Sequence, residues 1–376
     1  MNFKTFLFNS KIAANIAAVG YSTPTPIQSQ AIPKIIQGTD LIGLAQTGTG
    51  KTAAFVLPML HRLMDGRRRR LRALIIAPTR ELAEQIHLAI ESLGAKTGIQ
   101  SMTVYGGVGM QRQVQLLQTA DIIVACPGRL IDHIQHKTVD LSNIEMLVLD
   151  EADQMFDMGF LPDIRRILTH LPQKRRQTML FSATMPGQIR KLANEILNNP
   201  ERVQVAHDMP VETVSHTFFP VAQHLKTALL LKLLDAERTE AVLIFTRTRH
   251  RARKLGGKLA KLGYRSTSLQ GNLSQAQRKK AMNGFKSGKY KVLVATDIAA
   301  RGIDVAAVSH VINFDMPSTP EIYIHRIGRT GRAQRSGEAF TLYSSDDMQL
   351  VKAIRRTIGM PMKEQTLKNF DYHAPN

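Results

Sequence analysis

The chain has 376 residues, 43% of them hydrophobic and 21% charged, enough to bury two cores and too apolar to be disordered by composition. Fifty Lys and Arg against thirty Asp and Glu leave a net charge of +20, which points to a polyanion partner, most commonly nucleic acid. The single cysteine, Cys126, excludes a disulfide framework and a Cys-based zinc site, and no apolar run reaches the roughly eighteen residues of a membrane span.

From the amino terminus, the stretch around Phe3 is too short and too interrupted for a signal peptide, so a soluble cytoplasmic protein is expected. Gly20-Tyr21-Ser22-Thr23-Pro24-Thr25-Pro26-Ile27-Gln28 reads locally as a proline-rich turn before a helix. Leu41–Ala45 is the first strand candidate. It runs into Ala45-Gln46-Thr47-Gly48-Thr49-Gly50-Lys51-Thr52, a phosphate loop in all but its first glycine, which is Ala45 here. Glycines allow backbone N–H groups to close around phosphates, and the following helix adds the positive end of its dipole. Lys51 is placed to reach β- and γ-phosphates, and Thr52 to ligate Mg²⁺. Arg67–Arg70, with Arg72 following, reads as a solvated loop, a phosphate contact being the alternative.

Further strand candidates follow at Ala73–Ala77, Ser101–Val104, Asp121–Ala125, Met146–Leu149 and Thr178–Phe181, with a helix expected over Arg80–Leu93. The run Met146–Leu149 is apolar throughout, as in a buried parallel strand, and delivers Asp150-Glu151-Ala152-Asp153 to its carboxyl end. Ligands of open α/β sheets bind at that edge. With a phosphate loop in the same half, Asp150 is expected to hold the Mg²⁺ shell through water, and Glu151 to position the attacking water. The bland alternative is an acidic helix start, favoured by the dipole. Ser182-Ala183-Thr184, after Phe181, reads as a small polar turn capping a helix.

The rhythm then repeats. Strands are expected at Ala241–Phe245, Ser266–Leu269, Lys291–Ala295, His310–Asn313 and Ala339–Tyr343, with helices at His250–Leu262 and Gln275–Lys286. Alternation of this kind in both halves predicts two parallel-sheet α/β domains in tandem, joined between Asn199 and Val214. The segment His325-Arg326-Ile327-Gly328-Arg329-Thr330-Gly331-Arg332 spaces three arginines evenly, either along one helical face or through a glycine-punctuated turn. Arginine delivered to a transferring γ-phosphoryl group would stabilise its spreading charge. The histidines show no metal spacing, and no Ser-His-Asp constellation is discernible.

In their order along nearly the whole chain, these motifs resemble a DEAD-box RNA helicase, most similar in compact plan to the bacterial RhlE type. The resemblance implies two tandem RecA-like domains, each a parallel β-sheet flanked by helices, over residues 1–205 and 214–376 with a linker at 206–213. It implies ATP and Mg²⁺ as cofactors and RNA as partner, with RNA-stimulated hydrolysis coupled to domain closure and local, non-processive duplex unwinding or ribonucleoprotein remodelling. By resemblance Gln28 reads adenine, Tyr21 stacks on the ring and Phe3 braces the motif. Gln46, Thr47, Gly48, Thr49, Gly50, Lys51 and Thr52 hold the phosphates, and Gly302 and Asp304 lie near the ribose. Arg329 and Arg332 take the finger role. Asp153, Ser182, Thr184 and His325 couple the site to closure, His325 by contacting the acidic cluster near Asp153.

RNA contacts are implied for Pro78, Thr79, Arg80, Gly106, Gly107, Gly128, Arg129, Arg247, Gln275, Arg278 and Thr296, with Asp297 nearer RNA or the domain interface. Such contacts to sugar and phosphate carry no base identity. One departure is Cys126, where the family usually has threonine. A monomer is expected, with ribonucleoprotein or RNA-decay partners. A DNA translocase is the rival enzyme, and a non-hydrolysing RNA clamp the rival from another class.

Overall fold

The computed structural model describes residues 2–46, 48–172, 176–205, 214–236, 241–300, 308–330, 337–359 and 362–375. Thr47, Gly302, Asp304, Arg332 and the expected linker at 206–213 lie outside the described residues. The chain divides into two compact units, Met1–His207 and Asp208–Asn376.

The first unit is built on a parallel sheet of seven strands, β1 (Leu41–Leu44), β2 (Ala73–Ile76), β3 (Ser101–Val104), β4 (Ile122–Ala125), β5 (Met146–Leu149), β6 (Gln177–Ser182) and β7 (Glu201–Gln204), in the order β3-β4-β2-β5-β6-β1-β7. The inner strands β2, β4, β5 and β6 are buried along their whole length because helices cover both faces. Alternate side chains of one strand therefore enter different cores. Ala73 and Ile75 of β2 pack with Ile12, Ile27, Phe55 and Ile86 on one face, while Leu74 and Ile76 pack with Leu130, Ile164 and Leu192 on the other. The helices that matter for the site are α1 (Ser10–Ala18), α2 (Pro26–Ile36), α3 (Lys51–Leu63), α4 (Arg80–Leu93), α5 (Met110–Leu117), α6 (Pro127–Gln135), α7 (Ala152–Asp157), α8 (Leu161–Leu168) and α9 (Gly187–Ile196).

The strand order places β5, β6 and β1 side by side, with Leu149 opposite Leu180 and Leu44 opposite Ser182. Their carboxyl ends thus bring the acidic cluster, Ser182 and the phosphate loop to one edge. The remaining strands carry the segments after Ala77, Val104 and Ala125 to the same edge.

The second unit repeats the plan with β8 (Val214–Pro220), β9 (Val242–Phe245), β10 (Ser266–Leu269), β11 (Val292–Ala295), β12 (His310–Asn313), β13 (Gly337–Tyr343) and β14 (Lys363–Glu364), all parallel, in the order β10-β11-β9-β12-β13-β8-β14. Its helices include α10 (Lys226–Ala236), α11 (Arg249–Lys261), α12 (Gln275–Lys286), α13 (Asp297–Ala300), α14 (Pro320–Ile327) and α15 (Met348–Ile358). Ala252, Leu255 and Leu259 of α11 pack on one face of the sheet, and Ala281 and Phe285 of α12 on the other. Three strands escaped the sequence reading: β7, with only Val203 buried, β8, and the two-residue β14 at the far edge.

Candidate active site

The phosphate loop leaves β1 at Leu44 and enters α3 at Lys51 through Gly50, the helix cap, whose φ of +92° lies in the left-handed region. A side chain there would be strained, and its Cβ would fall 2.5 Å from the Gln28 amide nitrogen. That crowding reflects a direct tie: Gln28 Nε2 donates to the Gly50 carbonyl at 3.1 Å, while Gln28 Oε1 accepts from the Thr25 N–H at 2.9 Å. Gln28 thus braces the loop with the same amide that the resemblance assigns to adenine. Thr49 Oγ1 donates to the Gln46 carbonyl at 2.8 Å and tightens the turn. Tyr21 is 43% exposed, and its ring stacks on buried Phe3 at 6.0 Å between centroids, so one face is braced and the residue remains open to solvent.

Lys51 is the informative side chain. It is 6% exposed, and its ammonium nitrogen is buried with no hydrogen-bond partner among the described residues. A buried cation without partners is costly unless an anion joins it, so the environment fits a phosphate. Asp150, 2% exposed, lies near enough to feel the Lys51 charge. Burial pushes its carboxyl up to about 6; the nearby Lys51 charge works against that rise and the Glu151 charge adds to it. Among the described residues no group of three or more His, Cys, Asp and Glu could hold a metal alone. An ion bound between one carboxylate, one hydroxyl and nucleotide phosphates, as Mg²⁺ prefers, fits this donor set.

Glu151 is buried and has a φ of +53°, in the left-handed region that a side chain rarely adopts. It caps α7, and its N–H donates to Asp150 Oδ1 at 3.0 Å. The acidic cluster therefore does open a helix, as the bland reading held, but through a strained residue whose side chain makes no cap bond. No glycine marks that strain in the sequence.

Asp153 is tied to its own unit. Its Oδ2 accepts from the N–H groups of Ala183 and Thr184 at 3.1 and 2.9 Å and from Thr184 Oγ1 at 3.1 Å, and its Oδ1 accepts from the Gln154 N–H at 3.0 Å. In return its own N–H donates to Ser182 Oγ at 3.2 Å. Ser182-Ala183-Thr184 serves a helix start as well as the acidic cluster: Ser182, which ends β6, accepts the Asp153 N–H in the first turn of α7, and Thr184 bonds the Asp153 carboxylate, while α9 is capped by Pro186.

Arg80, Gly106, Gly107 and Arg129 converge after β2, β3 and β4. Gly107 has a φ of +84°, and a Cβ there would overlap the Arg80 guanidinium, which also lies 6.0 Å over the Tyr105 ring. Arg129 donates to the Val108 carbonyl at 3.0 Å and to Gln113 Oε1 at 3.2 Å. Pro78 is buried, and Thr79 caps α4 by accepting from the Leu82 N–H at 3.3 Å. Cys126 caps α6 without any side-chain bond, and Gly128, in the first turn, is exposed. Burial pushes the Cys126 thiol up to about 12, so it remains neutral. The Arg67–Arg70 loop is anchored from below: Arg72 is buried and grips Glu145 at 2.7 and 3.0 Å.

In the second unit, exposed Arg247 has its N–H held by Asp315 Oδ2 at 2.9 Å, and Arg278 donates to the Gln270 carbonyl at 3.3 Å. Gln275 starts α12, and Thr296 follows β11. The even arginine spacing does not make one helical face. His325 and Arg326 lie in α14, which stops at Gly328, so Arg329 sits beyond the helix in a turn where its N–H meets the Arg326 carbonyl at 3.1 Å. Arg326 is a buried strut: it grips Asp297 at 2.6 and 2.9 Å, donates to Asn313 Oδ1 and the Asp315 carbonyl, and lies 5.0 Å over the Phe245 ring. Asp297, expected nearer RNA or the interface, is committed to that strut. The pairing was not legible because its partners lie 29 residues apart.

Comparison with known proteins adds to this geometry. Residues 25–192 match the DEAD/DEAH box helicase family model and residues 225–334 the helicase conserved C-terminal domain. The chain is 42% identical over 371 residues to the ATP-dependent RNA helicase CshA of Listeria monocytogenes, covering 98% of this chain and 71% of the relative. It is 41% identical to the DEAD-box ATP-dependent RNA helicase CshA of Geobacillus kaustophilus, with 98% and 79% covered. Among solved structures, Dbp5 of S. cerevisiae bound to RNA and ADP BeF3 matches with a TM-score of 0.88 at 31% identity, over 97% of this chain and 95% of that one.

Proposed function

The chain belongs to the DEAD-box family of ATP-dependent RNA helicases, and from that membership we propose how its own residues divide the work. It is an RNA-dependent ATPase of two tandem RecA-like domains that couples ATP hydrolysis to domain closure and local RNA unwinding. Residues 1–205 form the ATP-binding domain and 214–376 the second helicase domain, with 206–213 as linker. No support for the RhlE type comes from the relatives named above, which are CshA enzymes.

In the proposed division, Tyr21 and Gln28 hold adenine with Phe3 as brace, and Gln46 to Thr52 cradle the phosphates. The buried, unpartnered ammonium of Lys51 is the observation that carries this reading. Thr52 and Asp150, with the phosphates, would hold Mg²⁺, whose charge would neutralise the β- and γ-oxygens. Glu151 orients the water whose oxygen bonds the γ-phosphorus as the bridging oxygen leaves with ADP. Arg329 and Arg332 stabilise the charge that spreads over the γ-oxygens, and Gly302 and Asp304 contact the ribose. His325 approaches the cluster near Asp153, whose bonds to Ser182-Ala183-Thr184 pass the state of the site to the rest of the first domain. Pro78, Thr79, Arg80, Gly106, Gly107, Gly128, Arg129, Arg247, Gln275, Arg278 and Thr296 hold the RNA backbone. We further propose a cytoplasmic monomer that joins ribonucleoprotein or RNA-decay assemblies; no helix among the described residues is long and apolar enough to cross a membrane.

Replacing Glu151 by Gln tests the division. The variant keeps ATP and RNA binding and loses turnover; unchanged turnover removes Glu151 from the role of positioning water.

A further inference from the structure

Residues 247–291 contain fourteen Lys and Arg and not one Asp or Glu. This one segment carries a charge of +14, against +20 for the whole chain. In the fold it becomes α11, the edge strand β10 and α12, with α11 over one face of the sheet and α12 over the other, and among the described residues β10 pairs with β11 alone. The outer face of α11 presents Arg253, Lys254, Lys258 and Lys261, all exposed, while Ala252, Leu255, Gly256 and Leu259 face the core. Among the described residues no carboxylate pairs with any of these four cations; the ion pair on this helix belongs to Arg251, which meets Asp315 at 2.8 Å.

Ordinary surface requirements do not call for such a face. Solubility is served by interspersed charges of both signs. Lysines beside β10 could protect a sheet edge, but α11 lies over the face of the sheet and its outer side guards no edge. Like charges one turn apart, as in Lys254 and Lys258, weaken a helix. The stripe continues from Arg249 at the amino end of α11, two residues after the proposed RNA contact Arg247. Across its thirteen residues the helix is about 20 Å long.

We propose that the outer face of α11, from Arg253 to Lys261, is an auxiliary RNA track that binds the sugar-phosphate backbone of the strand flanking the segment held by the helicase motifs. It adds affinity for longer RNA without base identity, because cations on a helix face contact phosphates alone. The track belongs to one domain, so it operates with or without nucleotide and keeps the enzyme on its RNA between rounds of turnover. The proposal rests on RNA as the substrate.

The test compares the intact chain with the variant Arg253→Gln, Lys254→Gln, Lys258→Gln and Lys261→Gln, which keeps helix propensity and removes four charges. Two single-stranded RNAs are used, one just long enough to stimulate ATPase fully and one extended by about ten nucleotides, within the usual site sizes of single-strand binders. The wild type should bind the long RNA at least tenfold more tightly than the short one without nucleotide, and the variant should lose that gain. The slope of log affinity against log salt for long RNA should fall by about 3, near 0.7 per lost contact. ATPase with the short RNA and the thermal midpoint should be unchanged.

Equal long-RNA binding by variant and wild type overturns the track and leaves the face to an acidic protein partner. Equal loss for both RNAs overturns it too, placing the four residues in the clamp. Absence of ATPase stimulation by RNA of any length in the wild type refutes the helicase assignment instead.

Discussion

Asp153→Asn is the perturbation whose cost the geometry defines best. The carboxylate takes three donors on Oδ2 and one on Oδ1. An asparagine can keep its oxygen toward Ala183 and Thr184, but its NH₂ then faces the Gln154 N–H, donor against donor. One bond to a charged group is lost, worth about 1.5–3 kcal/mol, and three others become neutral and weaken by roughly 1 kcal/mol each. Relief of the buried charge offsets part of this sum, leaving a net loss of about 3 kcal/mol. At about 2–4 °C per kcal/mol for a unit of this size, the first domain should melt some 6–12 °C lower. Scanning calorimetry on the intact chain measures that shift, and RNA-stimulated ATPase should fall with it. A midpoint within 2 °C of wild type would refute the claim that the charge of Asp153 holds Ser182-Ala183-Thr184 to the acidic cluster.

Three further outcomes follow from particular side chains. Arg326→Ala leaves buried Asn313 without its donor and the part-exposed Asp297 without its ion pair, so the second domain should lose about 1–3 kcal/mol, read as early unfolding by hydrogen exchange. Cys126→Thr supplies the side-chain oxygen that the cap of α6 lacks, and chemical denaturation should show a gain of about 1 kcal/mol. Because burial holds the Asp150 carboxyl near 6, it takes up a proton as pH falls below that value, and a protonated carboxyl is a poor metal ligand. Mg·ATP affinity, followed with a fluorescent nucleotide, should therefore decline below about pH 6, and Asp150→Asn should abolish that dependence.

Much of the scaffold was legible because its inner strands are buried on both faces and read as unbroken apolar runs. Met146–Leu149 and Val292–Ala295 are such strands. Edge elements lack that signature: Glu201-Arg202-Val203-Gln204 buries one side chain of four, and Lys363-Glu364 none. The phosphate loop was legible because glycines at fixed offsets have one physical use. The strain at Glu151 was not, since nothing in Asp150-Glu151-Ala152-Asp153 requires a left-handed residue. Nor was the strut role of Arg326, which looks like Arg329 in sequence and differs only in what the fold packs around it. Helix and turn were both open for the three arginines, and Gly328 ended the helix before Arg329 could join it.

The central claim is a catalytic site whose turnover depends on RNA. Steady-state ATP hydrolysis by the purified chain, measured without nucleic acid, with single-stranded RNA and with DNA of the same sequence, tests it most directly. Turnover should be negligible alone and with DNA and should rise sharply with RNA. Equal rates in the presence and absence of RNA, or a preference for DNA, would contradict the account.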